Sequence, residues 1–243
     1  MNSEKELLIY GKRAVYEAIE NDVEIDKVFL QKNNSYLDNI KSKIHKKNIQ
    51  VSFEPLEKLN KLTKNNHQGI VATISPISTL DINGLEGKLK NTKSLLILVL
   101  DGITDTKNFG AIIRSAECFD VDLIIIPKTG SSPINGETIK SSSGAIFNVP
   151  ICKVNHIKDA IFLLKENEIN LVGTSDKGFS SLYEHKFNSR TAIIIGSEGQ
   201  GVNKSVLKLC DQVVNIVMQG KISSLNVSVA TGIFLAEFRR QFN

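Results

Sequence analysis

The sequence predicts an α/β protein in which a large domain on a mostly parallel sheet follows a smaller α/β domain. Three observations carry that expectation. From residue 94 onward, near-continuous Leu/Ile/Val runs alternate with helical stretches, the pattern of strands buried on both faces of a parallel sheet. The first 75 residues alternate in the same way with shorter strands. Between the two, "PISTLDINGLEGKLKNTK" thins in apolar residues and gathers Gly, Asn, Ser and Thr, the composition of a linker. The expected division is a domain over 1–76, a linker over 77–93 and a second domain over 94–243. A chain of 243 residues can bury a core in each part.

Taken in order, "GKRAVYEAIEN" predicts a helix with Val15, Ala18 and Ile19 on one face. "IDKVFLQ" reads as a strand, "SYLDNIKSKIHKKN" as a helix, and "IQVSFEP" and "QGIVATIS" as two further strands. In the second domain the strands are "LLILVLDG", "DLIIIP", "INLVGTSD", "TAIIIGSEG" and "QVVNIVMQG". The helices between them are "FGAIIRSAECF", "ETIKSSSGAIF", "IKDAIFLLKENE" and "NKSVLKLC", and a last helix follows in "ISSLNVSVATGIFLAEF".

Composition narrows the function classes. The longest apolar run, "LLILVL", falls far short of the roughly 20 residues of a membrane span. "MNSEKELLIY" lacks the pattern of a secretory leader. Three widely spaced cysteines, Cys118, Cys152 and Cys210, suit a reduced, cytoplasmic protein. No CxxC, HxxxH or HExxH pattern occurs, so no metal site is expected. A net charge of +4 permits a nucleic-acid partner without establishing one. The densest basic stretch, "KSKIHKK" at 41–47, reads either as a solvated helix face or as an RNA contact.

In parallel sheets ligands bind beyond the carboxyl ends of the strands, and three strand-end loops are chemically equipped. In "LDGITDTKNFGAIIRSAECF", Asp101 and Gly102 end a strand and Asn108 stands where a helix N-cap is expected. Arg114, flanked by Ile112, Ile113 and Ala116, is expected to be partly buried and to need an anionic partner such as phosphate or carboxylate. In "TAIIIGSEGQGV" the glycines allow a tight turn and close approach to a ligand. Their GxxGxG order is not the dinucleotide fingerprint, and Glu198 within the turn argues against a pyrophosphate ligand. In the third loop Ser223, Ser224 or Asn226 can cap the last helix. Ser228, Gly232 and Ala236 give that helix a small face, for packing within the subunit or against a second one.

Together the three loops resemble the motifs of the SpoU-type RNA 2′-O-ribose methyltransferases of the SPOUT superfamily, in order and spacing. "TDTKNFGAIIRSA", "IIIGSEGQGV" and "IVMQGKISSLNVSVATGIFLAEF" match motifs one, two and three. "IYGKRAVYEAI" and "HQGIVATI" resemble the family's amino-terminal substrate-binding domain, which is similar to a small ribosomal-protein fold. Two positions depart from the pattern: Thr106 and Val217 replace prolines usual in motifs one and three. The resemblance implies a trefoil knot formed by the last two motifs, a homodimer, and S-adenosylmethionine as cofactor. The implied reaction is 2′-O-methylation of a guanosine ribose in 23S ribosomal RNA, with RNA rather than DNA as partner and no membrane. Carried over by motif, Asn108, Arg114, Glu198, Ser224 and Asn226 surround the reacting ribose. Thr174, Gly196, Ile216, Met218 and Leu225 hold the cofactor. Arg114 is expected to anchor phosphate and ribose rather than act as base, because guanidinium hardly deprotonates. Other readings are a methyltransferase of another rRNA or a tRNA ribose, an RNA-binding or assembly protein without chemistry, and a nucleotide-dependent oxidoreductase. The last is suggested by the glycine turn alone.

Overall fold

A computed structural model describes residues 6–90, 92–178, 180–222 and 224–242. The described chain divides into two compact units that are not contiguous in sequence: 6–78 with 133–148, and 79–132 with 149–242.

The first unit is a four-stranded sheet in the order β1-β4-β2-β3 with helices against it. Its strands are β1 (Leu7–Tyr10), β2 (Ile25–Gln31), β3 (Val51–Glu54) and β4 (Ile70–Ile74). Central β4 runs antiparallel to β1 and β2, and β3 lies at the edge, parallel to β2. Helix α1 (Lys12–Glu20) buries Ala14, Val15, Ala18 and Ile19, the apolar face its periodicity predicts. Helix α2 (Asp38–Lys46) buries Ile40 and Ile44. Helix α3 (Leu56–Leu62) closes a small cluster in which Leu59 meets Tyr10 and Val71.

Residues 133–148 complete this unit. Gly136 lies so close to β1 that a Cβ there would stand 2.2 Å from the Leu8 carbonyl oxygen, so only glycine fits the contact.

The second unit is a seven-stranded sheet in the order β7-β6-β5-β10-β8-β11-β9, and every recorded pairing is parallel. The strands are β5 (Leu95–Asp101), β6 (Leu123–Pro127), β7 (Ile151–Val154), β8 (Asn170–Thr174), β9 (Ser180–Ser181), β10 (Arg190–Gly196) and β11 (Gln212–Asn215). The helices of this unit are α4 (Ile82–Leu89), α5 (Thr106–Cys118), α7 (Ile157–Glu166), α8 (Lys204–Leu207) and α9 (Val227–Phe242), while α6 (Gly136–Ser141) belongs to the first unit. Leu95, Ile97 and Val99 pack with Leu85, Leu89, Ala160, Ile161 and Leu164 in one core cluster. The alternation of β5 leaves Leu96, Leu98 and Leu100, all buried, for the opposite face. Helices α5 and α9 pack against each other, and α9 also meets β10.

Two expectations change here. Within 77–93, Asp81 caps α4 by accepting from the Gly84 N–H at 2.9 Å, and Leu85 and Leu89 are buried in the second unit. Gly84 and Gly87 dilute the apolar pattern of this helix and give it a linker's composition. The strand expected over "QVVNIVMQG" ends at Asn215, because neighbouring β9 is two residues long and offers no further pairing. β1, α3, β7 and β9 have no counterpart among the elements expected from the sequence; all four are short.

Candidate active site

Parallel strands present their carboxyl ends on one edge, and the register sets three neighbours level there. Asp101 of β5 pairs with Gly196 of β10, β10 pairs with β8 up to Gly173, and Thr174 of β8 pairs with Val214 of β11. The segments after β5, β10 and β11 therefore leave from one edge of the sheet.

The loop after β10 folds back on itself. Ser197 and Gly201 form an antiparallel bridge, with the Gly201 N–H donating to the Ser197 carbonyl at 2.9 Å. A Cβ on Gly196 would lie 1.9 Å from the Gly201 carbonyl carbon, so this glycine is required by the turn's own backbone. The fold-back lifts Glu198 to the exposed tip.

At that tip three side chains lock together. Glu198 Oε1 accepts from Asn108 Nδ2 at 3.0 Å, from Asn226 Nδ2 at 2.8 Å and from the Val227 N–H at 3.4 Å. Asn226 Nδ2 also donates to Asn108 Oδ1 at 2.9 Å. Residues 108, 198 and 226 thus converge from α5, the glycine turn and the mouth of α9. Glu198 Oε2 has no hydrogen-bond partner among the described residues.

The two helix mouths differ from what the sequence suggests. Asn108 is not the N-cap of α5: Asp105 is, accepting from the Asn108 N–H at 2.7 Å. Asn108 sits three residues inside, so its amide is free for Glu198. Thr106 takes the first helical position, where proline would be favoured. The cap of α9 is Asn226, whose Oδ1 accepts from the Ser228 N–H at 2.9 Å and the Val229 N–H at 3.4 Å. Ser224 makes no hydrogen bond among the described residues, and Ser223 lies outside them.

Arg114 is exposed, not partly buried, and has no hydrogen-bond or ion-pair partner among the described residues. Ile112, Ile113 and Ala116 fill the buried face of α5, and the helical turn of about 100° per residue carries residue 114 to the outer face. Thr174 spends its hydroxyl on the Ile194 carbonyl at 2.9 Å. Ile216 and Met218 are half-buried and Leu225 is exposed. From Ile216 to Ile222 the chain has left the sheet, and among the described residues its backbone makes no backbone–backbone hydrogen bond. Such a segment keeps N–H and C=O groups available to a ligand.

One contact was missed in the sequence. Asp101 Oδ2 accepts from the Asn203 N–H at 2.8 Å and ties the end of β5 to the base of the Glu198 loop. Asp101 was legible only as a strand end, because its partner lies 102 residues away.

Known proteins match this arrangement. The SpoU rRNA Methylase family model matches residues 95–236, and a model for RNA 2′-O ribose methyltransferase substrate binding matches 8–80. The 23S rRNA (guanosine-2′-O-)-methyltransferase RlmB of Yersinia pestis is 39% identical over 175 residues, which cover 72% of this chain and 71% of that protein. A TrmH-family tRNA/rRNA methyltransferase candidate of Staphylococcus saprophyticus is 34% identical over 242 residues, covering 98% of this chain and 97% of its own. Among solved structures, the SpoU methyltransferase AviRb of Streptomyces viridochromogenes, crystallised with its cofactor AdoMet, superposes with a TM-score of 0.84. It is 23% identical, over 98% of this chain and 90% of that one, and so speaks for the fold. With its motifs meeting at one edge of a parallel sheet and a family model matched over more than half its length, this chain belongs to the SpoU rRNA methylase family.

Proposed function

We propose that this protein methylates the 2′-hydroxyl of a guanosine ribose in 23S ribosomal RNA, with S-adenosylmethionine as methyl donor. The observation that carries the reading is the Asn108–Glu198–Asn226 cluster, in a family member 39% identical to a 23S rRNA guanosine methyltransferase.

The residues present fit the cofactor. Gly196, Thr174 and Ile216 stand at the carboxyl ends of three adjacent strands, and the unpaired backbone of 216–222 can read adenine and ribose edges. Met218 and Leu225 offer apolar surface beside it. When bound, S-adenosylmethionine supplies an electrophilic methyl on sulfur, and the rest is positioning and proton removal.

In this proposal Glu198 is held by three donors on Oε1, which aims Oε2 outward to accept a hydrogen bond from the ribose hydroxyl. Arg114, exposed on α5, anchors an RNA phosphate through its planar fork. Ser224 contacts the same ribose. A homodimer is part of the reading: exposed Val229 and Phe242 on α9 are apolar surface that a second copy would cover. The trefoil knot is also proposed. It is supported by the position of β10, inserted between β5 and β8, two strands that precede it in the chain. A ribosomal-protein-like fold for the first unit rests on its small sheet and flanking helices. Burial pushes the thiols of Cys152 and Cys210 up to about 11, which keeps them protonated at neutral pH; a cytoplasmic location is part of the reading.

The test is transfer of labelled methyl from S-adenosylmethionine to 23S rRNA and to tRNA, followed by mapping of the modified nucleotide. The expected product is one 2′-O-methylguanosine in 23S rRNA. Label in tRNA alone would move the chain to the tRNA branch that the S. saprophyticus relative's name also covers. A monomer fully active in sedimentation would end the dimer reading. An experimental structure whose chain ends pull out to an open line would end the knot.

A further inference from the structure

We infer that the first unit carries a capture site for one unstacked RNA base, in the cleft between α2 and the edge strand β3. The inference rests on the proposed RNA substrate and adds a place and residues to it. The cleft measures about 300 Å³, at the lower end of small-molecule sites and roomy for a purine. Its floor is Leu30, Ile44 and Val51, and Phe53 stands at its side, 49% exposed.

The register explains the cleft. Val51 pairs with Val28 and Phe53 with Leu30, so these side chains share one face of the sheet, and no strand lies beyond β3 to extend that face. An aromatic ring half-exposed beside an apolar floor is a stacking platform, and every base has a face to lay on it.

The rim is polar and basic. Lys41, His45 and Asn48 recur at helical spacing along one side of α2 and its end. Helix α2 divides its lysines: Lys43 and Lys47 are held by Glu20 at 2.5 Å and Asp22 at 2.6 Å. Lys41, anchored by Asp38 at 2.6 Å, lines the cleft. The side chains of His45, Lys46 and Asn48 make no hydrogen bond or ion pair among the described residues. They are available to a phosphate and to a base edge, and the "KSKIHKK" stretch acquires a use. An aromatic ring, an amide, an imidazole and a lysine in one cleft fit a single-stranded nucleotide better than a duplex, whose bases are stacked away.

The chain contains no tryptophan, so Phe53→Trp places a single fluorescent indole in the cleft. The probe is a 10-nucleotide single-stranded RNA, fluorescein-labelled for anisotropy, with its duplex as comparison. The expected result is quenching of the indole emission of Phe53→Trp that saturates with the anisotropy, and little quenching by the duplex. Phe53→Ala should weaken binding of the single strand by roughly 5- to 150-fold, the range of one base stacked on an aromatic ring. Phe162→Trp, at a half-exposed position on α7 in the other unit, should report no quenching. Unchanged emission of the Phe53→Trp protein with RNA bound, or with methyl transfer retained, overturns the cleft and leaves the proposed function standing. Quenching by ribosomal protein but not by RNA also overturns it. Loss of both RNA binding and methyl transfer in the unmutated protein overturns the two readings together.

Discussion

The mouths of α5 and α9 face the same cluster but divide the labour differently. At α5 two residues share it: Asp105 caps the helix and Asn108, one turn in, reaches Glu198. At α9 one residue does both, because Asn226 caps with its Oδ1 and donates to Glu198 and Asn108 with its Nδ2. The cap fixes which way that amide points: oxygen to the helix N–H groups leaves nitrogen for the carboxylate. In the proposed function, catalysis and stability are therefore separable at α5 and fused at α9.

The largest effect should come where they are fused. Asn226→Asp keeps a capping oxygen but sets a second carboxylate against Glu198, and turnover should fall on the order of 100-fold or more from lost positioning. Asn226→Ala should lose turnover similarly and also about 1 kcal/mol of stability through the missing cap. Methyl-transfer kinetics with urea unfolding check both, and an active Asn226→Asp enzyme would break the account of the clasp.

Next comes Asn108→Ala. It should cost roughly 10- to 100-fold in turnover while stability falls by only about 0.5 kcal/mol, the low end for hydrogen bonds lost at a half-buried position that is not the cap. Asp105→Ala should invert that pattern, losing about 1 kcal/mol in urea unfolding and less turnover than Asn108→Ala. Equal losses in both assays for the two variants would erase the contrast between the mouths.

The smallest effect concerns the far end of α9. Glu237 is buried at 7% exposure, and hydrogen bonds from Arg240, at 2.7 and 2.8 Å, and from Gln241 hold its carboxyl down at about 2. A folded value below the ordinary 4.5 stabilises the protein above about pH 4.5, and that contribution is lost as pH falls through 2. Glu237→Gln should cost about 1 kcal/mol at pH 7, modest because Arg240 is 64% exposed and screened. The gap to the unmutated protein should close between pH 4.5 and 2 in acid unfolding curves. A gap constant across that window would remove the ion pair from the explanation.

Long apolar elements were legible in the sequence because their side chains report burial directly. β2 and β10 begin and end within a residue or two of their apolar runs, and α1 buries the face its spacing marks. The linker composition of 77–93 concealed α4, since Gly84 and Gly87 carry no side chain to complete the pattern. The three motif loops were legible as motifs. The cap at Asp105 needed only the D-x-x-N spacing, yet Asn108 has the residue type of a cap and draws the assignment to itself.

Exposure at Arg114 and the tie from Asp101 to Asn203 depend on which face a helix turns outward and which loop returns to a strand end. Sequence by itself determined the parallel α/β class, because periodicity is a local property, and the resemblance of its three motifs pointed to the family and to the polar residues carried over with it. Only the tertiary structure decided that Glu198 Oε1 is filled by Asn108, Asn226 and Val227, leaving Oε2 without a partner among the described residues. It also decided that residues 133–148 complete the first unit. Both depend on packing between segments distant in the chain, where close approach of backbone and the direction of a single amide are set by neighbours the local sequence does not contain.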